Sequence, residues 1–209
     1  MTNKFSEAMV FRHACKTFDP SKKISEEQMT YILEAGRTSP SSFGMEAWKF
    51  LVVMNEELRE KIRPLCWNQP QITTCSHLVI VLAGIENAKP LSGVVEKRFA
   101  RRPLDQEALD NYVNMYSTHL ADTLSSDKNI YEWTARQAYI AAGNMMTAGA
   151  FEGIDSCPIE GFEKENLEKL LDLDTSKYQI AMLLPFGYRI NEQSTQLRLD
   201  FDEVVEYIN

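Results

Sequence analysis

Three short segments carry side chains that could do chemistry. Arg12, His13 and Lys16 fall within five positions, just ahead of Pro20, which ends any regular structure there. The stretch Gly36 to Phe50 packs Thr38, Ser39, Ser41 and Ser42 around Pro40, where two or three residues of turn chemistry would suffice to reverse the chain. Those hydroxyls and the backbone N–H groups beside them suit an anion or a polar cofactor edge, although the same composition also makes an ordinary loop. Asn68, Gln69 and Gln71 form a third group. Their amides donate and accept together, which suits the edge of a uracil-like ring and equally suits a solvated loop. Further on, Pro158-Ile159-Glu160-Gly161 joins a proline that lacks an amide to a glycine that lets a flat ligand approach the backbone.

The elements needed to hold these segments follow from pattern. Lys4 to Phe11 is short and amphipathic and predicts a helix. Ser25-Glu26-Glu27-Gln28 is a capping box, with Met29, Ile32, Leu33 and Gly36 following at helical spacing, so a second helix delivers the hydroxyl-rich stretch. Phe50 to Met54 and Leu78 to Ala83 are continuous apolar runs, each expected as a strand buried on both faces. Between them, Asn55 to Arg63 reads as a capped helix stopped before Pro64, and Leu65 to Ser76 as irregular. A helical excursion at about 91–124, broken at Pro103, holds Lys97, Arg98, Arg101 and Arg102, and is either a solvated arm or a lid. Tyr131 to Gly153 is apolar on nearly all faces and predicts a buried central helix. A strand at Ile154, a helix from Lys164 to Leu171 and a strand from Tyr178 to Leu184 complete the pattern. The tail from about 190 to 209 holds Arg198, its last cation, and ends in Val204, Val205 and Ile208, so it should dock, with a second subunit as one explanation.

Composition narrows the function. A net charge of −8 opposes a nucleic-acid surface, so an anionic ligand would need a local cluster of cations. Met1 to Val10 lacks the apolar run of a secretory signal, and no segment has the length of a membrane span, so the chain is expected to be cytoplasmic, with no membrane and no nucleic-acid partner. Cys15, Cys66, Cys75 and Cys157 show no metal-ligand spacing, and no metal is expected. Dinucleotide, P-loop, nucleophile-elbow and zincin signatures are absent.

In order and spacing, Arg12-His13 with Lys16, Ser39-Pro40-Ser41-Ser42 before Trp48, Asn68, Pro158-Ile159-Glu160-Gly161-Phe162 and a late Arg198 resemble the FMN-dependent nitroreductase family, in its oxygen-insensitive NAD(P)H nitroreductase and dihydropteridine reductase branch. The resemblance runs from about Phe5 to Arg198. It implies a single α+β domain over 1–209, an α/β/α sandwich on a central mixed, largely antiparallel sheet, with the C-terminal arm exchanged in a homodimer whose active sites lie at the interface. It implies tight, non-covalent FMN, NADH or NADPH as reductant, and ping-pong hydride transfer through flavin N5 to small acceptors such as nitroaromatics or quinones.

The resemblance also implies roles. Arg12 and Arg198, with Gln196 beside them, match positions at the FMN phosphate, and His13 and Ala14 lie along the ribityl chain. Lys16 and Gln71 match the N1 and O2 edge, Asn68 the pyrimidine edge, and Pro158, Ile159, Glu160 and Gly161 the segment against the ring, with the Glu160 N–H toward N5. Lys16 and Glu160 are thereby the catalytic candidates. Pro40, Ser41 and Ser42 match a loop reaching FMN from the partner subunit, while Phe43, Gly44, Glu46 and Arg98 match the substrate-facing wall. Departures stand at Gln71 and Gln196, where relatives often carry lysine, each loss weakening anion stabilisation by about 1–2 kcal/mol if uncompensated. Glu46-Ala47 and Phe43-Gly44 also depart. The alternatives are a flavin or pterin reductase of the same fold, a reductase for halogenated or unsaturated substrates, or a flavin-binding protein without efficient catalysis.

Overall fold

The computed structural model describes residues 3–90, 92–121 and 123–208. Leu91, where the expected excursion begins, lies outside the described residues, as do Met1, Thr2, Asp122 and Asn209 at positions within the expected N-terminus, excursion and C-terminal arm. Strand β2 (His77–Gly84) is the centre of a four-stranded sheet ordered β1-β2-β4-β3, with β1 at Trp48–Val53, β3 at Asp155–Ser156 and β4 at Tyr178–Gly187. All its ladders are antiparallel, and parallel character enters only through the bridge from Ala14 to Ser156 among the described residues. Because side chains alternate across a strand, Val79, Val81 and Ala83 enter one layer and Leu78, Ile80 and Leu82 the other.

Helices close both layers, giving an α+β sandwich. On the first face lie α2 (Glu26–Arg37) and α7 (Asp127–Phe151), which contribute Met29, Ile32, Ala138, Ala141, Ala142 and Met145 to the core. Gly36 permits their close approach: a Cβ there would lie 2.8 Å from the Met145 side chain. On the second face, Ile62 of α3 (Glu56–Leu65), Ile72 of α4 (Gln71–Thr74) and Leu167 of α8 (Lys164–Leu170) pack on the sheet. The excursion folds as α5 (Val94–Phe99) and α6 (Gln106–Ala121), with Phe99, Tyr116 and Trp133 in its own apolar cluster. Helix α1 (Lys4–Phe11) starts on Asn3, whose side chain accepts from the Phe5 amide.

Local signals were kept where they were local. The Ser25–Gln28 capping box forms in both directions. Several expectations are corrected. β1 is not buried on both faces: among the described residues it is an outer strand pairing only β2, and Lys49 and Val52 are exposed. Pro64 lies inside the last turn of α3 rather than beyond it, and the segment read as irregular contains α4. Helix α7 leaves Tyr139, Ile140 and Phe151 exposed on one side. The tail forms one turn, α9 (Phe201–Val204), and presents Leu197, Phe201, Tyr207 and Ile208 to solvent.

Candidate functional site

At the end of α1 the helix geometry stops at Arg12, whose φ of −67° and ψ of 121° turn the chain into an extended run. That run lies along β3: the Cys15 amide donates to the Ser156 carbonyl at 3.0 Å. Beneath it, the buried Asp155 carboxylate accepts from Arg189 Nε at 2.8 Å and from the Arg189 amide at 2.9 Å, and stands 3.6 Å from His13 Nδ1. His13 Nδ1 lies closer, at 3.3 Å, to the Phe11 carbonyl. Among the described residues the guanidinium of Arg12 has no hydrogen-bond or ion-pair partner.

Lys16 continues the strip. Its Nζ reaches Cys157 Sγ at 3.7 Å, and Gln71 Nε2 meets the same sulfur at 3.7 Å. Gln71 Nε2 also donates to Gln69 Oε1 at 2.9 Å, and Gln69 Nε2 to the Gly161 carbonyl at 3.1 Å. Burial pushes the Cys157 thiol up, opposed by the Lys16 charge and the Gln71 amide, so the sulfur stays a neutral thiol beside the ammonium. Gln71 is buried, and its Oε1 has no hydrogen-bond partner. Such a buried acceptor costs about 1–3 kcal/mol until a donor meets it.

The turn that follows is pinned at nearly every polar group. Ile159 exchanges backbone hydrogen bonds with Leu183 at 2.9 and 3.0 Å, and the Glu160 carbonyl accepts from the Phe162 amide at 3.0 Å. Tyr139 on α7 donates its phenol to Glu160 Oε1 at 2.8 Å. The Glu160 amide donates to nothing among the described residues. Pro158 is half-buried beside it. Gly161 lies close against a side chain: a Cβ there would lie 2.5 Å from the Trp67 ring. Trp67 and Asn68 both hold positive φ, at 54° and 55°, and Asn68 is fixed by its amide to the Arg63 carbonyl, which leaves its side chain exposed.

The tail returns to the same end. Gln196 Nε2 donates to the carbonyls of Val10 at 2.9 Å and Arg12 at 2.6 Å, satisfying groups that a helix C-terminus leaves open. Gln196 therefore spends its amide on α1. Arg198, two residues on, is exposed, and its Nη1 donates to the Leu197 carbonyl at 2.6 Å.

A second cluster is built differently. Ser39 is buried and bonds Ala35 and Asn144 at 2.8 Å each, Ser41 Oγ accepts from the Glu46 amide at 2.9 Å, and the Ser42 amide donates to Gln137 Oε1 at 2.9 Å. Pro40 is exposed. Phe43, Gly44 and Glu46 hold φ of 55°, 59° and 47°, the left-handed region that costs a side-chain-bearing residue about 1–2 kcal/mol. Arginines of the excursion offset this. Arg98 donates to the Met45 carbonyl, Arg102 to that of Phe43 at 2.6 Å, and Arg101 grips both oxygens of Glu46 at 3.0 and 3.1 Å. Burial lowers the Arg98 pKa, the mark of a cation turned inward rather than held in water. The Phe43 ring packs edge-on against Tyr116, with centroids 5.2 Å apart, so it faces the excursion.

Within one chain the structure brings together Arg12, His13, Ala14, Lys16, Gln71, Pro158, Ile159, Glu160, Gly161 and Gln196, with Asn68 and Arg198 at the margins. It does not join them to Pro40, Ser41, Ser42, Phe43, Gly44, Glu46 or Arg98: no hydrogen bond or ion pair links the two clusters among the described residues. Ser42 is anchored at Gln137 and Glu160 at Tyr139, positions about 200° apart around α7, so the helix stands between them. Sequence reasoning missed Trp67, Tyr139 and Cys157 as neighbours of the site. A cleft of about 670 Å³ opens elsewhere, between α2, β1 and His77.

Residues 9–188 match the nitroreductase family. YfkO of Bacillus subtilis, provisionally named an NAD(P)H nitroreductase, is 38% identical over 212 residues, 97% of this chain and 96% of its own. A crystal structure from Staphylococcus epidermidis, provisionally an NAD(P)H:FMN oxidoreductase, has a TM-score of 0.85 at 24% identity, covering 99% of this chain and 97% of that one. A provisional nitroreductase of Exiguobacterium sibiricum, solved in complex with FMN, has a TM-score of 0.83 at 24% identity, covering 99% and 98%. At such identities the two structures establish a shared fold.

Proposed function

The chain belongs to the nitroreductase family, and from that premise we propose that it is an FMN-dependent NAD(P)H oxidoreductase, one domain per chain, working as a homodimer. The observation that carries this reading is the strip from Lys16 through Cys157, Gln71 and Gln69 to Gly161, which ends beside the unpaired Glu160 amide. Its unpaired groups fit FMN. Arg12 is an unpartnered guanidinium for a phosphate dianion, with Arg198 on the adjoining tail and His13 and Ala14 leading away from it. Gln71 Oε1 is a buried acceptor in want of a donor, which the imide edge of a flavin offers. Pro158 and Gly161 are partly exposed on either side of the buried Ile159 and would lie against the ring, and Asn68 has an exposed side chain to meet its margin.

FMN bound here supplies hydride acceptance from NADH or NADPH and its return to an oxidant such as a nitroaromatic or quinone, the two substrates taking turns at one place. The protein's share is electrostatic and positional. The Lys16 ammonium favours negative charge arising at the N1 and O2 edge. The Glu160 N–H offers a fixed donor at N5. Pro40, Ser41 and Ser42 of a second copy would close the cofactor from outside, which accounts for their separation from the floor in one chain, and Phe43, Gly44, Glu46 and Arg98 would shape the wall met by the acceptor.

Purified protein equilibrated with FMN should retain a yellow, non-covalent chromophore that NADH or NADPH bleaches anaerobically; absence of a retained chromophore contradicts the proposal. A second reading, a flavin-binding protein with little turnover, draws on the neutral Gln71 and Gln196. Retention of FMN with very slow bleaching would favour it.

A further inference from the structure

We propose that Tyr139 is a positioning residue for the cofactor-facing turn: its phenol holds the Glu160 carboxylate against α7 and so keeps the Glu160 amide free to act. The inference rests on the reading of the site given above and adds to it a residue outside the cofactor-contacting set. Glu160 has three polar groups. Its carbonyl accepts from Phe162 at 3.0 Å, its carboxylate accepts from Tyr139 at 2.8 Å, and its amide alone is left unpaired.

The phenol is a fixed post. Ala138, Ala141, Ala142 and Met145 bury the inner face of α7 in the core, so the helix cannot shift to follow a mobile turn. The phenol pKa is raised, by burial first and then by the hydrogen bond and charge of Glu160, so the group remains protonated and donating at neutral pH. Tyr131, two turns earlier on the same helix, donates its phenol to the Ile180 carbonyl at 3.0 Å and carries the Lys164 ammonium 4.5 Å from its ring centroid. The Tyr139 phenol differs in donating to a carboxylate, with the Ala181 carbonyl a distant second partner at 3.5 Å.

Once released, the carboxylate is an acceptor-only group on the same turn as the unpaired Glu160 amide, and a Glu side chain can turn back on local backbone donors. It would compete for the amide and bring an unshielded negative charge to the flavin edge. Negative charge there disfavours the reduced, anionic cofactor.

The test compares Tyr139→Phe, Glu160→Gln and the double variant, reading the midpoint potential of bound FMN, the rate of its reduction by NADH or NADPH, and thermal stability. Tyr139→Phe should lower the potential and slow reduction by about tenfold, the scale of one hydrogen bond to a charged group. In the Glu160→Gln background, where no charge remains to be positioned, Tyr139→Phe should leave the potential unmoved. A Tyr139→Phe variant altered only in thermal stability, or a potential shift that persists in the double variant, overturns the proposal. Wild-type protein that fails to retain FMN overturns the site assignment first, before any variant is compared.

Discussion

The floor and the clamp are made by opposite means. Residues 12–16 and 156–161 are tied to β3 and β4 by backbone bonds of Cys15 to Ser156, Cys157 to Pro185 and Ile159 to Leu183. Residues 39–46 have left-handed backbone at Phe43, Gly44 and Glu46 and are held by side chains of Arg98, Arg101, Arg102 and Gln137, reaching across more than fifty residues of sequence. Backbone borne on a sheet is stiff. A side-chain clamp can be retuned one residue at a time.

If that contrast is sound, damage to the floor should cost cofactor, and damage to the clamp should cost order in the loop. The largest effect is expected at Arg12: Arg12→Ala should weaken FMN binding by about 10- to 100-fold, measured by ultrafiltration, because it removes a charge-assisted fork. Lys16→Ala should retain FMN far better and lower its potential instead. Next, Arg102→Ala removes the bond to the Phe43 carbonyl and the stacking of its guanidinium on Phe99 and Tyr112, 4.9 and 4.8 Å from the ring centroids. A loss of about 2 kcal/mol is expected in denaturant unfolding, with faster hydrogen exchange confined to the loop and excursion. Gly161→Ala should displace the Trp67 ring, which is exposed enough to move, for about 1 kcal/mol and a change in tryptophan fluorescence. Smallest is the exposed Arg101–Glu46 pair, whose double-mutant coupling should stay below about 1 kcal/mol and shrink with added salt. A larger coupling there than at Arg102 would break the ranking.

What the sequence made legible follows the range of the interactions. The Ser25 capping box and the helix behind it rest on contacts within four residues and could be read directly. The run Leu78 to Ala83 announced a central strand because nothing polar interrupts it. Phe50 to Val53 looked alike, yet burial on the second face depends on which strand lies beyond β1, and no local pattern records that. The candidate site was proposed from the order of its motifs, and the contact of Lys16 with Cys157 arises only once the chain has crossed the sheet. Tyr139 gave no signal of its own, being one aromatic among many on an apolar helix, and the arginines of the excursion left a solvated arm and a lid equally open because their targets, the Met45 and Phe43 carbonyls and the Glu46 carboxylate, lie more than fifty residues away. Gln196 is a similar case: a short neutral side chain whose use, closing the end of α1, is set by the path of the tail.

The central claim is that floor and clamp complete one site only across two copies of the chain. It is tested most directly by mixing two defective proteins, Arg12→Ala and Ser42→Glu, the latter keeping the Ser42 amide bond to Gln137 while placing a carboxylate where the partner's cofactor would lie. Each alone should lose FMN. Unfolded together and refolded as a mixture, they should regain about a quarter of wild-type FMN binding and reductase activity, since half the dimers would be mixed and each would hold one intact site. No recovery, with both proteins folded and dimeric, would contradict the shared site and return both clusters to a single chain.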